Sequence, residues 1–407
     1  MDARAARYPL LDSLRAIAAL SVLTLHGAFQ QVLVFHPDNP LTRYASRLGV
    51  GVTIFFVISG FLLYRPFVAA RLAGERAPRT RAYAWRRFLR IVPAYWVALT
   101  VVAVVAGLSY VFTWDGVPRF YGFAQIYSSK DAVNGLGQAW TLCVEVAFYA
   151  LLPLWALSQR RLGGADPRAR MRRELAGLAL LALAGLAFAA VVTHRFNPNL
   201  PQEAWMFLQL PNFLDAFAAG MALAVLSAWW QSAAEPPRLV GIVERRPWIP
   251  WLVALVAFVL CAQLGTMGAL TDREYYVGQR LFVIVAVGLL LPAVFGDPAR
   301  GWVRRLLARR WLLWVGLVSY GVYLWHPFVY ERLIAWGWLP ERAPGQIGRF
   351  AVGLALTLVV AAVSYYVVER PALKLKRRVA PAPAPDQPGA VSAPAVPVLP
   401  GGQPAEP

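Results

Sequence analysis

Arg15 and His26 stand eleven positions apart in an otherwise apolar stretch, LDSLRAIAALSVLTLH, residues 11–26. In an α-helix, eleven residues turn through about three turns plus roughly 20° and rise about 16 Å, so both side chains fall on one face. Ionisable residues inside an apolar span usually face a bundle interior or a wet cavity and mark a functional path. An imidazole there can move a proton, and a guanidinium can orient an anion or a developing oxyanion. A purely structural pair is the other reading: Arg15 reaches the headgroups and His26 hydrogen-bonds a neighbouring helix. Glu145, in QAWTLCVEVAFYALLPL, is an isolated carboxylate inside a second apolar run. If its helix runs opposite to the first, Glu145 lies about 9 Å below the outer surface and His26 about 24 Å above the inner end of a core about 30 Å thick. The two then share a depth, and a carboxylate beside the ring would fix its tautomer; whether those helices touch is not encoded in the spacing.

Two further stretches carry polar chemistry. In RAYAWRRFLRIVPAYW, Arg86, Arg87 and Arg90 crowd the mouth of a third apolar run. Arg87 and Arg90, three apart, share a helix face and could clamp a phosphate through paired guanidinium donors; contact with lipid headgroups is the commoner use of arginines at such a place. In SYGVYLWHPFVY, His326 precedes Pro327, which removes a backbone donor. A structural histidine at a kink fits this position as well as a reactive one. Ser59-Gly60, in GVGVTIFFVISGFLLYRP, permits close helix approach. His36 and His194 fall in loops and suggest nothing further.

The elements that must hold these residues are helices in a bilayer. The chain of 407 residues is 58% hydrophobic and only 15% charged, far from the composition of a soluble globular protein. Apolar runs long enough to cross a membrane recur throughout, giving ten expected spans at roughly 10–34, 48–65, 90–108, 139–158, 175–193, 210–230, 249–266, 280–296, 312–330 and 350–369. The fold class expected is an all-α integral membrane protein with about ten transmembrane helices. The first run carries Arg15 and has no small-residue cleavage site, so it reads as a retained helix. The net charge of +19 suggests positive-inside loops rather than nucleic-acid binding. Alternate loops hold 29 Lys and Arg against nine in the others, which puts both termini in the cytoplasm. Cys143 and Cys261 lie within apolar runs and read as packing residues. Histidines and carboxylates do not cluster at ligand spacing, so no metal site is expected. Residues 1–378 form the expected membrane domain. Residues 379–407, rich in Pro and Ala, read as a disordered cytoplasmic tail. No internal repeat is evident, and no soluble catalytic domain is expected after the last span.

These blocks, in this order, resemble the acyltransferase-3 family of integral membrane acyltransferases. The resemblance covers most of residues 8–371. It rests on Arg15 with ten intervening residues before His26, on FFVISGFL, RRFLRIVPAYW, WTLCVEVAFYALLPL and SYGVYLWHPF, and on VVERP at Val367–Pro371. Thr53 stands where an acidic residue is common and Cys143 where a serine is common, departures that bear on acceptor detail. The hydrolase-like domain fused to some members is not seen.

The resemblance implies a transfer of an acyl group, usually acetyl, from cytoplasmic acyl-CoA to a hydroxyl of a cell-surface glycan or other glycosylated acceptor, in a bacterial inner membrane. His26 maps to the catalytic histidine, as general base or as a residue that is itself acylated, the first being favoured. Arg15 would orient the donor or stabilise the thioester oxyanion, and Glu145 would support His26. Arg87 and Arg90 would bind CoA phosphates; Trp140, Ser59 and His326 are taken as substrate-binding. No metal is implied, and the partners are membrane lipids and the carbohydrate acceptor. The rival from another class is a transporter or flippase in which Arg15, His26 and Glu145 form a substrate or proton path; a non-catalytic scaffold gives no reason for His26 and Glu145 to share a depth.

Overall fold

The computed structural model describes residues 8–29, 40–161, 166–200, 202–232, 238–265, 270–297, 300–337 and 345–378. The expected tail at 379–407, His36 and the end of the first expected span lie outside them. Among these described residues ten principal helices follow in order: α1 Leu10–Phe29, α2 Val50–Leu72, α3 Thr80–Val105, α4 Trp140–Arg161, α5 Pro167–Arg195, α6 Leu214–Ser232, α7 Trp248–Ala262, α8 Asp272–Val294, α9 Arg310–Ala335 and α10 Gly345–Ser364. Short helical turns fill several connections.

Among the described residues, nine helical segments are long and apolar enough to cross a membrane. The expected span at 249–266 is the exception. It is the 15-residue helix α7, about 22 Å long and short of a bilayer core about 30 Å thick. It lies against α8 and turns Leu252, Leu255, Val256 and Val259 outward, as a lipid-facing helix does.

The centre is made by α1, α2, α6 and α9. Close approach explains why glycines stand where they do. A Cβ at Gly60 of α2 would run into the Phe217 carbonyl of α6, and one at Gly220 of α6 into the Val57 carbonyl of α2. The backbones therefore cross in direct contact, as small residues allow within a membrane. Gly316 does the same for α9 against the Asp12 carbonyl of α1. Phe56, Phe148 and Phe217 stack in the apolar core around this crossing.

Several arginines counted in the basic loops do not simply face headgroups. Arg304 is 1% exposed, and its guanidinium donates to the carbonyls of Pro292, Phe295, Val243, Arg300 and Glu244. It ties the end of α8 to the segment before α9. Arg71 of α2 pairs with the fully buried Glu174 of α5. Counting charge by loop cannot separate these fixed cations from solvated ones, because both follow an apolar run.

Candidate active site

Helix α1 is continuous over Arg15 and His26, so about 16 Å of helix separates them. They line two different cavities. The first is walled by Arg15, Arg87, Arg90, Ser59, Glu145 and Tyr149, among others. The second, the larger of the two, is lined by His26, Trp140, Thr53, Arg47, Asn199 and Gln279, among others. Val52 and Tyr323 line both, so the two cavities abut at these side chains. The Tyr323 hydroxyl donates to the Gln138 carbonyl at 2.9 Å and meets the Thr141 hydroxyl at 2.7 Å, which fixes the ring at the junction.

The arginine cavity draws on five helices, α1, α2, α3, α4 and α9. Arg15 pairs with Asp12 at 2.8 Å. Arg87 and Arg90, on one face of α3, lie over the rings of Tyr149 and Tyr320 at 6.0 and 5.9 Å. Arg90 approaches Glu369 at 3.5 Å. Glu369 belongs to the expected VVERP block, where the backbone widens into a π-type turn over Tyr365–Glu369 and the carboxylate is buried. Three guanidiniums therefore converge on one cavity together with Glu145, a donor-rich wall suited to phosphate oxygens.

Glu145 does not support His26 in the way its depth suggested. It accepts a hydrogen bond from Ser59 at 2.5 Å and lines the arginine cavity. The expected pairing is not formed: α4 presents Glu145 to Ser59 of α2, in the cavity that holds Arg15 rather than the one that holds His26. Ser59, taken as substrate-binding, is Glu145's donor in that same wall. Trp140 lies in the histidine cavity, packed near Phe213 at 5.6 Å.

His26 pairs with the other intramembrane histidine. His26 Nδ1 lies 2.8 Å from His326 Nε2, and His326 Nδ1 lies 2.9 Å from the Val322 carbonyl. A carbonyl only accepts, so His326 Nδ1 carries the proton in that bond. With one proton per ring, His326 Nε2 is an acceptor and His26 Nδ1 donates to it. His26 Nε2 is then left with a bare lone pair. His326 is 0% exposed and lines neither cavity. It stands behind His26 and sets its tautomer, in place of the substrate contact expected for it.

Four residues went unnoticed as site residues in the sequence: Arg47, Tyr323, Asn199 and Gln279. Tyr323 sits within the SYGVYLWHPF block, but nothing local distinguishes it from its aromatic neighbours. Arg47 had a signal: it is one of the few cations in the sparsely charged set of loops.

The acyltransferase domain family matches residues 8–368. The chain belongs to this acyltransferase-3 family. Among curated relatives, the chain is 24% identical to the peptidoglycan O-acetyltransferase OatA of Listeria monocytogenes, over 90% of this chain and 56% of that protein. It is 28% identical to the exopolysaccharide production protein ExoZ of Rhizobium meliloti, over 85% of this chain and 96% of that one. It is 27% identical to the acyltransferase MdmB of Streptomyces mycarofaciens, over 95% and 97%. The chain thus spans about half the length of the listerial protein and nearly all of the other two. No solved structure matches it.

Proposed function

We propose that this chain is a multi-pass plasma-membrane O-acyltransferase that moves an acyl group, acetyl foremost, from acyl-CoA to a hydroxyl of an envelope glycan. The observation that carries the reading is the pair of abutting cavities. One holds three guanidiniums; the other holds a histidine whose bare nitrogen is set by a second histidine. The charge bias of the loops supports a cytoplasmic mouth for the arginine cavity, where acyl-CoA is found, with both termini on that side. The names of the listerial and rhizobial relatives support a glycan acceptor, and the first supports acetyl.

In this reading Arg87 and Arg90 hold the CoA phosphates, and Arg15 steers the arm that carries the thioester. Arg15 lies about 16 Å along α1 from His26, so orienting the donor fits its place better than stabilising an oxyanion at the reacting carbon. The acyl end reaches the junction at Val52 and Tyr323. His26 Nε2 takes the proton of the acceptor hydroxyl as its oxygen attacks the thioester carbonyl. The C–S bond then breaks, the proton passes from His26 to the departing sulfur, and the products are an ester and free CoA. The His26 Nδ1–H bond to His326 holds the ring in place through both transfers.

The test is to profile envelope glycans by mass spectrometry in a host expressing wild type or His26→Ala, alongside free-thiol release in membranes given acetyl-CoA and those glycans. The expected result is an acyl increment and CoA release in wild type, both lost in His26→Ala, with the variant still inserted. An increment that survives in the variant removes His26 from the chemistry. Glycan or metabolite movement across the membrane without CoA release would favour the transporter reading.

A further inference from the structure

Arg47 is 4% exposed and belongs to the wall of the histidine cavity. It precedes α2, in a turn closed by its own amide bonding to the Tyr44 carbonyl at 3.1 Å. Only Nη2 is committed: it donates to the carbonyls of Leu264, at 2.9 Å, and Gly265, at 2.5 Å, capping the end of α7. Nε is buried without a partner. Nη1 lies beside Gly278, 3.6 Å from where a Cβ there would stand, and makes none of the carbonyl bonds that Nη2 makes. Among the described residues, the other fully buried arginine, Arg304, is answered by five carbonyls, and the partly exposed Arg15, Arg71 and Arg280 each have a carboxylate, Asp12, Glu174 and Asp215. Arg47 has no carboxylate within ion-pair distance among them. No acidic side chain lines the cavity it shares with His26, again among the described residues.

A buried, half-committed guanidinium is costly unless an anion meets it. A helix cap alone would use the carbonyl-facing edge and gain nothing from an uncommitted second edge. We propose that Arg47 binds an anionic group of the acceptor, a carboxylate or phosphate on a sugar close to the hydroxyl that is acylated. The acceptor is thus an acidic glycan. The amides of Gln279 and Asn199 and the face of Trp140, in the same wall, suit the neutral remainder of a sugar. This rests on the transferase reading and narrows its acceptor class.

The experiment uses the full chain in nanodiscs and three radiolabelled probes of equal length. They are a hexuronic-acid oligosaccharide, the same oligosaccharide with its carboxyls reduced to alcohols, and a phosphorylated hexose oligosaccharide. Binding is read directly, and free-thiol release is read with each probe and acetyl-CoA. Wild type should bind an acidic probe about tenfold or more tighter than the neutral one, the worth of a hydrogen bond to a charged group. Whichever acidic probe wins identifies carboxylate or phosphate as the anion. Arg47→Gln should abolish the preference and Arg47→Lys should keep part of it. Gln279→Glu places a carboxylate in the same wall without touching the α7 cap. It should also remove the preference, and it stands in if Arg47→Gln fails to fold, as judged by CoA binding.

Equal binding of acidic and neutral probes by wild type, or no binding of any, overturns the proposal. So does a preference that survives both Arg47→Gln and Gln279→Glu. A preference with no CoA release from any probe would fail the transferase reading and leave the anion site standing. CoA release without a preference would do the reverse.

Discussion

Replacing His326 tests the ordering of protons at the site. His326→Phe fills much of the same space but removes the acceptor for His26 Nδ1–H, which the native pair holds at 2.8 Å. The orphaned buried donor costs about 1–3 kcal/mol. If that falls on the productive orientation of His26, each 1.36 kcal/mol lowers the rate about tenfold, giving a loss of about 5–150-fold in kcat. The donor KM should stay unchanged, because His326 does not line the arginine cavity. His326→Gln keeps a carbonyl oxygen near the position of Nε2 and should recover part of the loss. His26→Ala removes the proposed base and should cost about 10²–10⁴-fold. The assay is free-thiol release in detergent-solubilised membranes, with kcat and KM separated and thermal unfolding recorded for each variant. Wild-type kcat in His326→Phe would refute the argument. A loss equal to that of His26→Ala, with no recovery in His326→Gln, would reverse the order and make His326 the base.

The other predictions concern the donor path. Arg87→Ala should weaken CoA binding by about tenfold or more, the worth of a hydrogen bond to a charged group, and labelled CoA binding checks it; unchanged affinity would return Arg87 to headgroup contact. Arg90→Ala should weaken CoA too but also strand buried Glu369, a loss of about 3–5 kcal/mol in stability, so Arg90→Lys separates binding from folding. Val52→Trp fills the junction of the two cavities and should abolish transfer while CoA still binds; undiminished transfer would mean the acyl group reaches His26 by another route.

Helices were legible in the sequence because each apolar run must satisfy its own backbone in lipid. The limit was length: α7 is apolar enough to read as a span, but its 15 helical residues are fewer than each of the other nine segments uses. Within the site, the same-face placement of Arg15 and His26 followed from helix geometry alone, and so did that of Arg87 and Arg90. Contacts between helices did not follow. His26 and His326 are 300 positions apart, and no period or spacing joins them. Depth put Glu145 level with His26 but could not say which face α4 turns to α2, and that rotation gave Glu145 to Ser59. Arg47 was obscured for a different reason. A loop arginine reads as solvated until the helix end it caps is known, and that end lies over 200 positions away.

The separation of the cavities bears on how a thioester could survive beside a base. A general base that deprotonates a glycan hydroxyl would also activate water, and the histidine cavity is large enough to hold water. In the proposed reading the arginine wall holds the donor's charged half on the far side of Val52 and Tyr323, so only the acyl end need pass the junction. If an acceptor must occupy the cavity against Arg47 before the acyl end arrives, the sugar itself displaces the water that would compete with it. The Arg47 anion site then does more than choose the acceptor. Hydrolysis of acetyl-CoA without acceptor should be slow in wild type, and a neutral sugar that fills the cavity poorly should raise the ratio of hydrolysis to transfer.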